Sequence, residues 1–454
     1  MKLTLYEVAK VVDAQNSIAE FDDLPLNQIE FDSRKISAGD IFLPLKGERD
    51  GHDFIKLAFE KGAVATFSEK KVEDKPYILV PNCLEAFQKL ASYYIEKMRL
   101  DVIAVTGSNG KTSTKDMIAA VLSTTYKTYK TQGNYNNEIG LPYTVLHMPN
   151  DTEKIVLEMG QDHMGDIHLL STIAKPHIAV VTLVGEAHLE FFGSREKIAE
   201  GKMQITDGMD SHGILIAPGD SIIDPYLPEN QMVIRFGQGQ EIYVKDVREA
   251  KHSLSFTTNI LPKAVNLPLT GKYNASNAMV AAYVGKLLAV SDEDILDGLE
   301  NLQLTKNRTE WKVAKNGADI LSDVYNANPT AMRLILESFS AIPANTNGKK
   351  IALLSDMKEL GEESVSLHSS LIETLKPDKI DQLIFYGKDI EELARLASAI
   401  YPPGTVSFFK KDAEVDEFEK MYQYVQDILK ANDQILLKGS NSMRLDKLVN
   451  LLSD

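Results

Sequence analysis

A glycine-rich turn between an apolar run and a helix-forming stretch is the feature of this chain that most directly implies chemistry. Residues 102–116 read Val-Ile-Ala-Val-Thr-Gly-Ser-Asn-Gly-Lys-Thr-Ser-Thr-Lys-Asp. In such loops the backbone N–H groups and the positive end of the next helix surround phosphate oxygens, while the lysine reaches the β/γ-phosphates and the threonine ligates Mg²⁺. The segment predicts a nucleoside triphosphate site formed by Thr106, Gly107, Ser108, Asn109, Gly110, Lys111 and Thr112.

The spacing of this loop differs from the usual G-x-x-x-x-G-K-[ST], because Val105 occupies the place of the first glycine. The common NTPase families therefore match poorly. The alternative is an ordinary strand-turn-helix unit with a surface lysine. We favour the phosphate loop because strand, turn and helix all fall where that mechanism requires them.

Two polar side chains end apolar runs further along the chain. Glu158 closes the run at 155–159, where a carboxylate beside a phosphate loop can hold Mg²⁺ or can be a solvated acid. We favour the metal role for Glu158. His188 follows the run at 179–183 and is either a metal ligand or a hydrogen-bonded structural residue.

Three other polar features could either bind a ligand or serve only to maintain the structure. Arg308, at the expected joint between two domains, could reach a transferring phosphoryl group on domain closure or form an interdomain ion pair. Asn274 and Asn277 share one helical face and either cap the helix or bind a base. The amide-rich turn at 132–142 carries Asn134, Asn137 and Glu138, which contact substrate or only shape the turn.

The elements that must position these residues form three α/β units. Turns between short β-like runs and a helical pattern at 53–62 predict a small domain over residues 1–98. Over 99–309, strand-like runs alternate with helical windows, as in a parallel sheet covered by helices. The fold class expected is α/β with three domains.

The third unit, expected over residues 310–454, is Rossmann-like. Strands are predicted from 318 and at 350–354, 382–386 and 434–437, and Asn328 with Pro329 marks a helix start. Ligands of such sheets bind beyond the carboxyl ends of the strands. Asp356, Lys438 and Ser440 fall there and are candidate substrate residues.

Composition bounds the class of protein. The 44% hydrophobic and 25% charged content is typical of a soluble globular protein, and no window approaches the roughly 18 consecutive apolar residues of a membrane span. We expect no signal peptide and a cytoplasmic location. A net charge of −16 argues against nucleic acid as a partner, and a single cysteine, Cys83, excludes an intrachain disulfide.

Taken together, the motifs resemble those of the Mur ligases of bacterial peptidoglycan synthesis. The phosphate loop, the amide-rich turn, Glu158, His188, Lys202, Arg308 and the segment Asp-Val-Tyr-Asn-Ala-Asn-Pro at 323–329 occur in the order of that family. The resemblance covers nearly the whole chain. It is greatest to the members that add a dipeptide, judged by segments 325–329, 356–361 and 438–443.

The resemblance implies roles for individual residues. Thr112 and Glu158 would hold one Mg²⁺, His188 would help to hold a second, and Lys202, which local sequence does not distinguish from a solvated lysine, matches the family's CO₂-derived carbamylated lysine. Asn274 and Asn277 would lie near adenine, Asp323 near the ribose and Arg308 on the γ-phosphate, so that Lys111, Lys202, Arg308 and His188 are the catalytic candidates. The substrate contacts implied are Asp32, Ser33, Arg34 and Lys46 for the UDP-sugar, with Asn134, Asn137, Glu138, Asn326, Asn328, Asp356, Lys438 and Ser440.

The activity implied is ATP-dependent amide ligation that joins D-alanyl-D-alanine to UDP-N-acetylmuramoyl-tripeptide through an acyl phosphate, in a monomer with small-molecule partners. Lys111, Arg308 and two Mg²⁺ ions could neutralise the reacting anions. The alternatives are the preceding ligase, which adds the third amino acid, folylpolyglutamate synthase, and a non-catalytic nucleotide-binding relative. The Asp-Asn-Pro-Arg-type tetrapeptide usual in the preceding ligase is absent from residues 349–448.

Overall fold

The computed structural model describes residues 1–19, 26–303, 305 and 309–453. Arg308, predicted to contact the γ-phosphate, lies outside the described residues. The expected α/β class with three sheet-bearing units is confirmed. The domain boundaries after residues 98 and 309 stay predictions.

The N-terminal unit is a four-stranded parallel sheet in the order β1-β2-β3-β4. Its elements are α1 Leu5–Val11, β1 Ile29–Glu30, β2 Ile41–Phe42, α2 Ile55–Glu60, β3 Ala65–Ser68, β4 Tyr77–Leu79 and α3 Cys83–Met98. Asn82 caps the start of α3, because its side chain accepts hydrogen bonds from the N–H groups of Leu84 and Glu85. One face of α3 is buried against the neighbouring elements.

The central unit is a six-stranded parallel sheet in the order β10-β9-β8-β5-β7-β6. Its elements are β5 Asp101–Thr106, α4 Lys111–Ser123, β6 Thr128–Lys130, α5 Gly140–Leu146, β7 Lys154–Glu158, α6 Asp166–Ala174, β8 Ile178–Val181, α7 Leu189–Phe192, α8 Arg195–Met203, β9 Ile214–Pro218 and β10 Met232–Phe236. After β5 the chain adds strands on one side and then, from β8, on the other. The strand order therefore reverses at β5, which places a crevice at its carboxyl end.

An antiparallel meander follows, where sequence analysis expected only strand-helix alternation. It comprises β11 Val244–Ala250, β12 Ser253–Thr258 and β13 Val265–Leu267, and two helices follow it, α9 Tyr273–Leu287 and α10 Asp292–Glu300. Leu254, Phe256, Val265 and Leu267 pack into the same core as α4 and α9. The meander thus packs against these helices, and its mostly polar strands β11 and β12 do not stand out as apolar runs in the sequence.

The C-terminal unit is a six-stranded sheet in the order β14-β15-β19-β16-β17-β18. Its elements are β14 Glu310–Val313, β15 Asp319–Asp323, α11 Pro329–Ala341, β16 Lys350–Ser355, α12 Ser364–Ser369, β17 Gln382–Gly387, α13 Glu391–Ile400, β18 Val406–Lys410, α14 Phe418–Ile428, β19 Gln434–Lys438 and α15 Leu445–Ser453. The strand β14 pairs antiparallel with β15, and the other pairs are parallel. The predicted N-cap is confirmed, because the Asn328 side chain accepts a hydrogen bond from the N–H of Ala331.

One apolar core continues through all three units, from Val8 through Leu141 to Leu436. A second core fills the other face of the central sheet, and a third fills the other face of the C-terminal sheet. In the described parts of the chain, no helix combines the length and the apolar character that crossing a membrane requires.

Candidate active site

The phosphate loop at 107–110 connects β5 to α4 and requires glycine at two positions. Gly107 has φ +151°, and a Cβ there would lie 1.9 Å from Oγ1 of Thr182. Gly110 has φ +82°, and a Cβ there would lie 3.1 Å from Oδ1 of Asn277. A side chain at Gly107 would therefore collide with Thr182, and at both positions the backbone angle favours glycine.

The segment that leaves β8 holds the loop in shape. The N–H of Ser108 donates to the carbonyl of Leu183 at 2.7 Å. The Thr182 hydroxyl donates to the carbonyl of Asn109 at 2.6 Å. The ammonium of Lys111 donates to the carbonyl of Gly107 at 2.8 Å, so the lysine lies across the loop. The cradle is pre-formed by the neighbouring strand.

Glu158 ends β7 beside the phosphate loop and is 2% exposed. It lies opposite Val105 in the β5–β7 pairing. Its Oε1 accepts from Nδ2 of Asn136 at 3.0 Å, whereas its Oε2 is buried without a hydrogen-bond partner among the described residues. A buried carboxylate oxygen in this position, near the buried Thr112, suits a cation.

The protein supplies only part of such a cation's coordination shell. Across the ranges described, no group of three or more His, Cys, Asp or Glu side chains could hold a metal ion. Magnesium is commonly held by one or two carboxylates together with substrate phosphates and water. Thr112 and Glu158 at the end of a phosphate cradle therefore fit Mg²⁺ that binds with a nucleotide.

A buried charge cluster that sequence analysis missed lies behind Glu158. The side chain of Lys115 is 1% exposed, and its Nζ lies 3.3 Å from Oδ1 of Asp116 and 3.9 Å from Oε2 of Glu158. The Lys115 ammonium also donates to the carbonyl of Thr131 at 2.9 Å. Burial lowers the pKa of Lys115. Lys115 thus balances the carboxylates under the cradle.

Asp116 ties α4 to the joint that precedes the C-terminal sheet. Its Oδ2 accepts from the N–H of Thr305 at 2.9 Å and from the Thr305 hydroxyl at 2.8 Å, and its Oδ1 accepts from Lys130 at 2.7 Å. Burial alone would raise the pKa of Asp116, but Lys115 and Lys130 outweigh it and hold that pKa below its ordinary value. The nucleotide helix and this joint therefore share one carboxylate.

His188 lies after β8 with a left-handed backbone, φ +63°. Its Nδ1 is 2.7 Å from Oε2 of Glu359, in the loop after β16, and 3.5 Å from Oδ1 of Asp162. The imidazole lowers the pKa of Glu359. His188 therefore faces two carboxylates, one from the central unit and one from the C-terminal unit.

Lys202 lies near the end of α8 and is 1% exposed. Burial lowers its pKa well below the usual value, and the charge of Lys111 adds to this, while Asp162 opposes it. Within the described residues, no carboxylate approaches the Lys202 amine to ion-pair distance. A lowered pKa favours the neutral amine, which is the form that reacts with CO₂.

Side chains from the C-terminal unit close the site over the phosphate loop. Asn109 donates to Oδ1 of Asn328 at 3.2 Å, and Asn328 donates back to Oδ1 of Asn109 at 2.8 Å. The carboxylate of Glu186 accepts from the Thr330 hydroxyl at 2.7 Å and from its N–H at 3.2 Å. The start of α11 is thereby held against the loop.

A cavity of about 930 Å³ lies between these units. The predicted residues that line it are Ser108, Asn109, Gly110, Lys111, Thr112, Asn134, Asn137, Glu138, Glu158, His188, Asp323, Asn326 and Lys438. The ammonium of Lys438 donates to Oδ2 of Asp323 at 2.7 Å and to the carbonyl of Asn326 at 2.6 Å. The cavity thus joins the phosphate loop to the 323–329 segment.

Several predicted site residues lie outside this lining. Four of them lie in or against the phosphate loop and help to shape it: Thr106, Gly107, Asn277 and Asn328. Asn274 is buried and donates a hydrogen bond to the carbonyl of Thr270.

Two predicted substrate residues of the C-terminal unit bond to the protein itself. Asp356 is buried, and its carboxylate accepts from Lys358 and from the N–H groups of Lys388 and Ile390. The Ser440 hydroxyl accepts from the N–H of Lys358. Asp356 and Ser440 therefore hold the loop that carries Glu359.

The predicted UDP-sugar residues lie on loops of the N-terminal sheet. Arg34 and Asp32 form a two-point ion pair at 2.8 Å, which holds the pKa of Asp32 at about 2. Ser33 is buried, and Lys46 pairs with Glu69. None of these four predicted residues is among those that line the cavity.

The cavity also has lining residues that sequence analysis did not single out. They include Asn136, Gln161, Asp162, His163, Asp166, Leu169, Leu170, Tyr273, Tyr325, Ala331, Leu334 and Asn441. Those at 161–170 follow Glu158 directly, so their place after a strand of the nucleotide sheet was a usable signal. Ala331 and Leu334 lie three residues apart on α11, a spacing that puts them on one helical face.

Comparisons with known proteins agree with this arrangement. The chain matches "Mur ligase family, catalytic domain" over residues 25–95, "Mur ligase middle domain" over 105–285 and "Mur ligase, glutamate ligase domain" over 307–441. The UDP-N-acetylmuramoyl-tripeptide–D-alanyl-D-alanine ligase of Bacillus subtilis is 37% identical over 460 residues, covering 99% of this chain and 98% of that protein.

Solved structures match at full length as well. MurF from Acinetobacter baumannii has a TM-score of 0.85 at 28% identity, covering 99% of this chain and 98% of its own. MurF ligase from Thermotoga maritima in complex with ADP has a TM-score of 0.81 at 30% identity, covering 94% and 97%. Fold and site define a multidomain α/β protein with a phosphate cradle between its domains. The chain belongs to the Mur ligase family.

Proposed function

We propose that this chain is an ATP-dependent amide ligase that joins D-alanyl-D-alanine to UDP-N-acetylmuramoyl-tripeptide and releases ADP and phosphate. The observation that carries the proposal is that one cavity is bounded both by the phosphate loop and by the 323–329 segment. It is supported by the likeness to the Bacillus subtilis and Thermotoga maritima proteins, whose names state that ligation and ADP binding.

The first step activates a carboxylate. The terminal carboxylate of the acceptor peptide forms a bond to the γ-phosphorus of ATP, and the bond from that phosphorus to the β–γ bridging oxygen breaks, which gives an acyl phosphate and ADP. Lys111 would leave the carbonyl of Gly107 for the phosphate oxygens, and the loop N–H groups would hold them. Positioning and charge neutralisation supply the rate, so no protein nucleophile is needed.

The second step forms the amide. The unprotonated amine of the dipeptide bonds to the acyl carbon, and the tetrahedral adduct expels inorganic phosphate and loses the amine proton. The 323–329 segment and Lys438 lie on the C-terminal side of the cavity. We assign the dipeptide to that side and the acceptor to the side of Asn134, Asn137 and Glu138.

Magnesium would be held by Thr112 and Glu158, whose buried Oε2 accepts no hydrogen bond from the described residues, and a second ion would lie near His188. When bound, such ions neutralise phosphate charge and so permit the approach of an anionic carboxylate. Glu158 and His188 also position neighbouring side chains. Glu158 orders Asn136, and His188 orders Glu359 across the domain joint.

Lys202 would act as a carbamate. The neutral amine bonds to the carbon of CO₂ and releases one proton, which leaves an anionic group. Burial of Lys202, the direction of its pKa and the nearby charge of Lys111 support this assignment, because an anion there would relieve the repulsion between the two lysines. We infer that the carbamate belongs to the His188 end of the site.

The proposed division of labour follows the three units. Residues 1–98 would bind the UDP-sugar through Asp32, Ser33, Arg34 and Lys46, residues 99–309 would bind ATP, and residues 310–454 would bind the dipeptide. We propose that the protein acts as a monomer in the cytoplasm, where UDP-linked precursors and ATP are available to it.

The test is phosphate release from ATP and Mg²⁺ in the presence of UDP-N-acetylmuramoyl-tripeptide. Release that requires D-alanyl-D-alanine, and that single amino acids do not support, is the expected result. Release with an amino acid and UDP-N-acetylmuramoyl-dipeptide would assign the chain to the preceding ligation. ATP binding without release for any substrate pair would identify a non-catalytic relative.

A further inference from the structure

A buried carboxylate links the N-terminal sheet to the central unit. Glu30, at the end of β1, is 2% exposed. Its Oε1 accepts from the N–H of Asp32 at 2.8 Å, and its Oε2 accepts from the hydroxyl of Tyr143 at 3.0 Å. Tyr143 belongs to α5, 113 residues away along the chain. One carboxylate therefore contacts both the predicted UDP-sugar segment and a helix of the nucleotide unit.

Aromatic neighbours fix the ring of Tyr143, and they thereby restrict the direction in which its hydroxyl points. It stacks on His147 with ring centroids 3.6 Å apart. Phe31 meets it edge-on and Tyr135 meets it at a tilt, each with centroids 5.1 Å away. Phe31 comes from the N-terminal unit, and Tyr135 belongs to the amide-rich turn.

The helix α5 in turn carries the amide-rich turn. Oδ1 of Asn137 accepts from the N–H of Gly140, the first residue of α5, at 2.9 Å. A Cβ on Gly140 would lie 2.4 Å from Cα of Tyr135, so helix and turn are in close backbone contact. Gln88 of α3 also holds the turn, because its Nε2 donates to the carbonyl of Glu138 at 3.0 Å.

Few groups connect two distant parts of the site, the 32–34 segment and the amide-rich turn. From Asp32 the path runs through Glu30 to Tyr143, and through α5 to Asn137 and Glu138, which line the cavity. An acceptor that is bound through its UDP-sugar at one end and phosphorylated at its peptide carboxylate at the other must span a fixed distance between these two points. Positional catalysis is sensitive to displacements of about 1 Å.

We propose that Glu30 and Tyr143 are positioning residues that set the register between the 32–34 segment and the amide-rich turn, so that the acceptor carboxylate meets the γ-phosphate. This inference rests on the proposed function, in which the 32–34 segment holds the UDP-sugar. It assigns Glu30 and Tyr143 no contact with the reacting atoms.

Tyr143→Phe tests the proposal, since it removes only the hydroxyl. The matched control is Tyr386→Phe, because the Tyr386 hydroxyl, like that of Tyr143, donates to a carboxylate, here that of Asp416 at 2.6 Å in the C-terminal unit. Each enzyme is assayed with UDP-N-acetylmuramoyl-tripeptide and with 1-phospho-N-acetylmuramoyl-tripeptide, which lacks the uridylyl group. Thermal midpoints of both variants are measured alongside.

The expected result is a loss that depends on the acceptor. Tyr143→Phe should lower kcat/KM for the UDP-acceptor by about ten-fold, on the scale of one lost hydrogen bond to a charged group, with the KM for D-alanyl-D-alanine unchanged. With the truncated acceptor its kcat/KM should stay within about two-fold of wild type, because that acceptor is not held at its nucleotide end. Tyr386→Phe should match wild type on both acceptors.

Variants of Glu30 supply a second line of evidence. Glu30→Ala should reproduce the acceptor-dependent loss, and adding Tyr143→Phe to it should cost little more, since one contact is removed by either change. Glu30→Gln should recover most of the activity, because its amide can accept from Asp32 and donate to the Tyr143 oxygen.

Two outcomes would overturn the inference while leaving the proposed function intact. One is an equal loss on both acceptors after Tyr143→Phe, which indicates a purely structural hydrogen bond. The other is no loss on either acceptor. Absence of ligation by the wild-type protein would overturn the proposed function and the inference together.

Discussion

The imidazole of His188 and the carboxylate of Glu359 meet at 2.7 Å, Nδ1 to Oε2, across the joint between the central and C-terminal units. The contact is reinforced by the backbone, because the N–H of Glu190 donates to the carbonyl of Glu359 at 2.9 Å. Glu359 itself has a left-handed backbone, φ +64°. A loop of the C-terminal unit therefore reaches His188, which belongs to the central unit.

Glu359→Gln should weaken cation binding at His188, because it removes a negative charge next to the imidazole. We expect the Mg²⁺ concentration for half-maximal phosphate release to rise by about three- to ten-fold. A magnesium titration measures this. Glu362→Gln, an exposed neighbour on the same loop, is the control and should leave the curve in place. Superimposable curves for all three proteins would contradict a cation near His188.

Lys111→Ala should abolish turnover, with a fall of about 10³-fold or more in kcat, because the loop loses the charge that faces the transferred phosphoryl group. Phosphate release under saturating substrates measures kcat. Lys127→Ala, an exposed lysine after α4, should behave as wild type. Turnover by Lys111→Ala within ten-fold of wild type would show that the loop does not act as a phosphate cradle.

Lys202→Ala should lower turnover by about 10²-fold or more, because the proposed carbamate anion is lost with the lysine. Short carboxylates such as formate should restore part of the rate. Lys197→Ala is the matched control, since Lys197 lies on the same helix but is exposed and pairs with Glu200. Wild-type rates in Lys202→Ala would refute the carbamate.

A spectroscopic measurement separates the carbamate from other roles of Lys202. Because burial lowers the pKa of this lysine, a larger fraction of its amine is neutral near pH 7 than in an ordinary lysine. ¹³C-bicarbonate should therefore give a carbamate resonance in the wild type and in Lys197→Ala. That resonance should be missing from Lys202→Ala and should fade as the pH falls.

His368 predicts a pH dependence of stability. It is fully buried, its Nε2 accepts from the N–H of Met357 at 2.8 Å, and its Nδ1 donates to the carbonyl of Ser364 at 2.7 Å. Burial lowers its pKa below the ordinary 6.5. The unfolded chain therefore binds more protons just below pH 6.5, so the His368 contribution to stability is lost as the pH falls.

His368→Gln should make the thermal midpoint fall less steeply between about pH 6.5 and pH 5 than it does in the wild type. Scanning calorimetry at a series of pH values checks this slope. His212→Gln, whose ring is 93% exposed, should keep the wild-type slope. An unchanged slope in His368→Gln would mean that His368 does not titrate with unfolding.

The sequence predicted well whatever depends on neighbours along the chain. The phosphate loop, the Asn328 cap and the strands that end at Glu158 and Lys438 each follow from local pattern, because strand and helix periods and turn residues are local properties. The order of the motifs then indicated the family. The antiparallel meander was not predicted because most residues of β11 and β12 are polar, so neither strand forms an apolar run.

Long-range contacts could not be predicted in this way. Asp116 and Thr305 are 189 residues apart, and Glu30 and Tyr143 are 113 apart, so only the folded chain brings them together. The burial of Lys202 could not be predicted either, because the polar sequence of its helix is typical of an exposed helix. The position of Asp356 at a strand end favoured a substrate role. In the structure its carboxylate accepts hydrogen bonds from backbone N–H groups of the protein itself.

The bond between Asp116 and Thr305 has a mechanical consequence. The helix that starts at the phosphate loop carries Asp116, and Thr305 belongs to the connection that leads into the C-terminal sheet. Because Asp116 also accepts from Lys130, the same carboxylate joins the phosphate-loop helix, strand β6 and the connection to the C-terminal sheet. A substitution at Asp116 would therefore loosen three segments at once, although none of them contains a residue of the loop at 107–110.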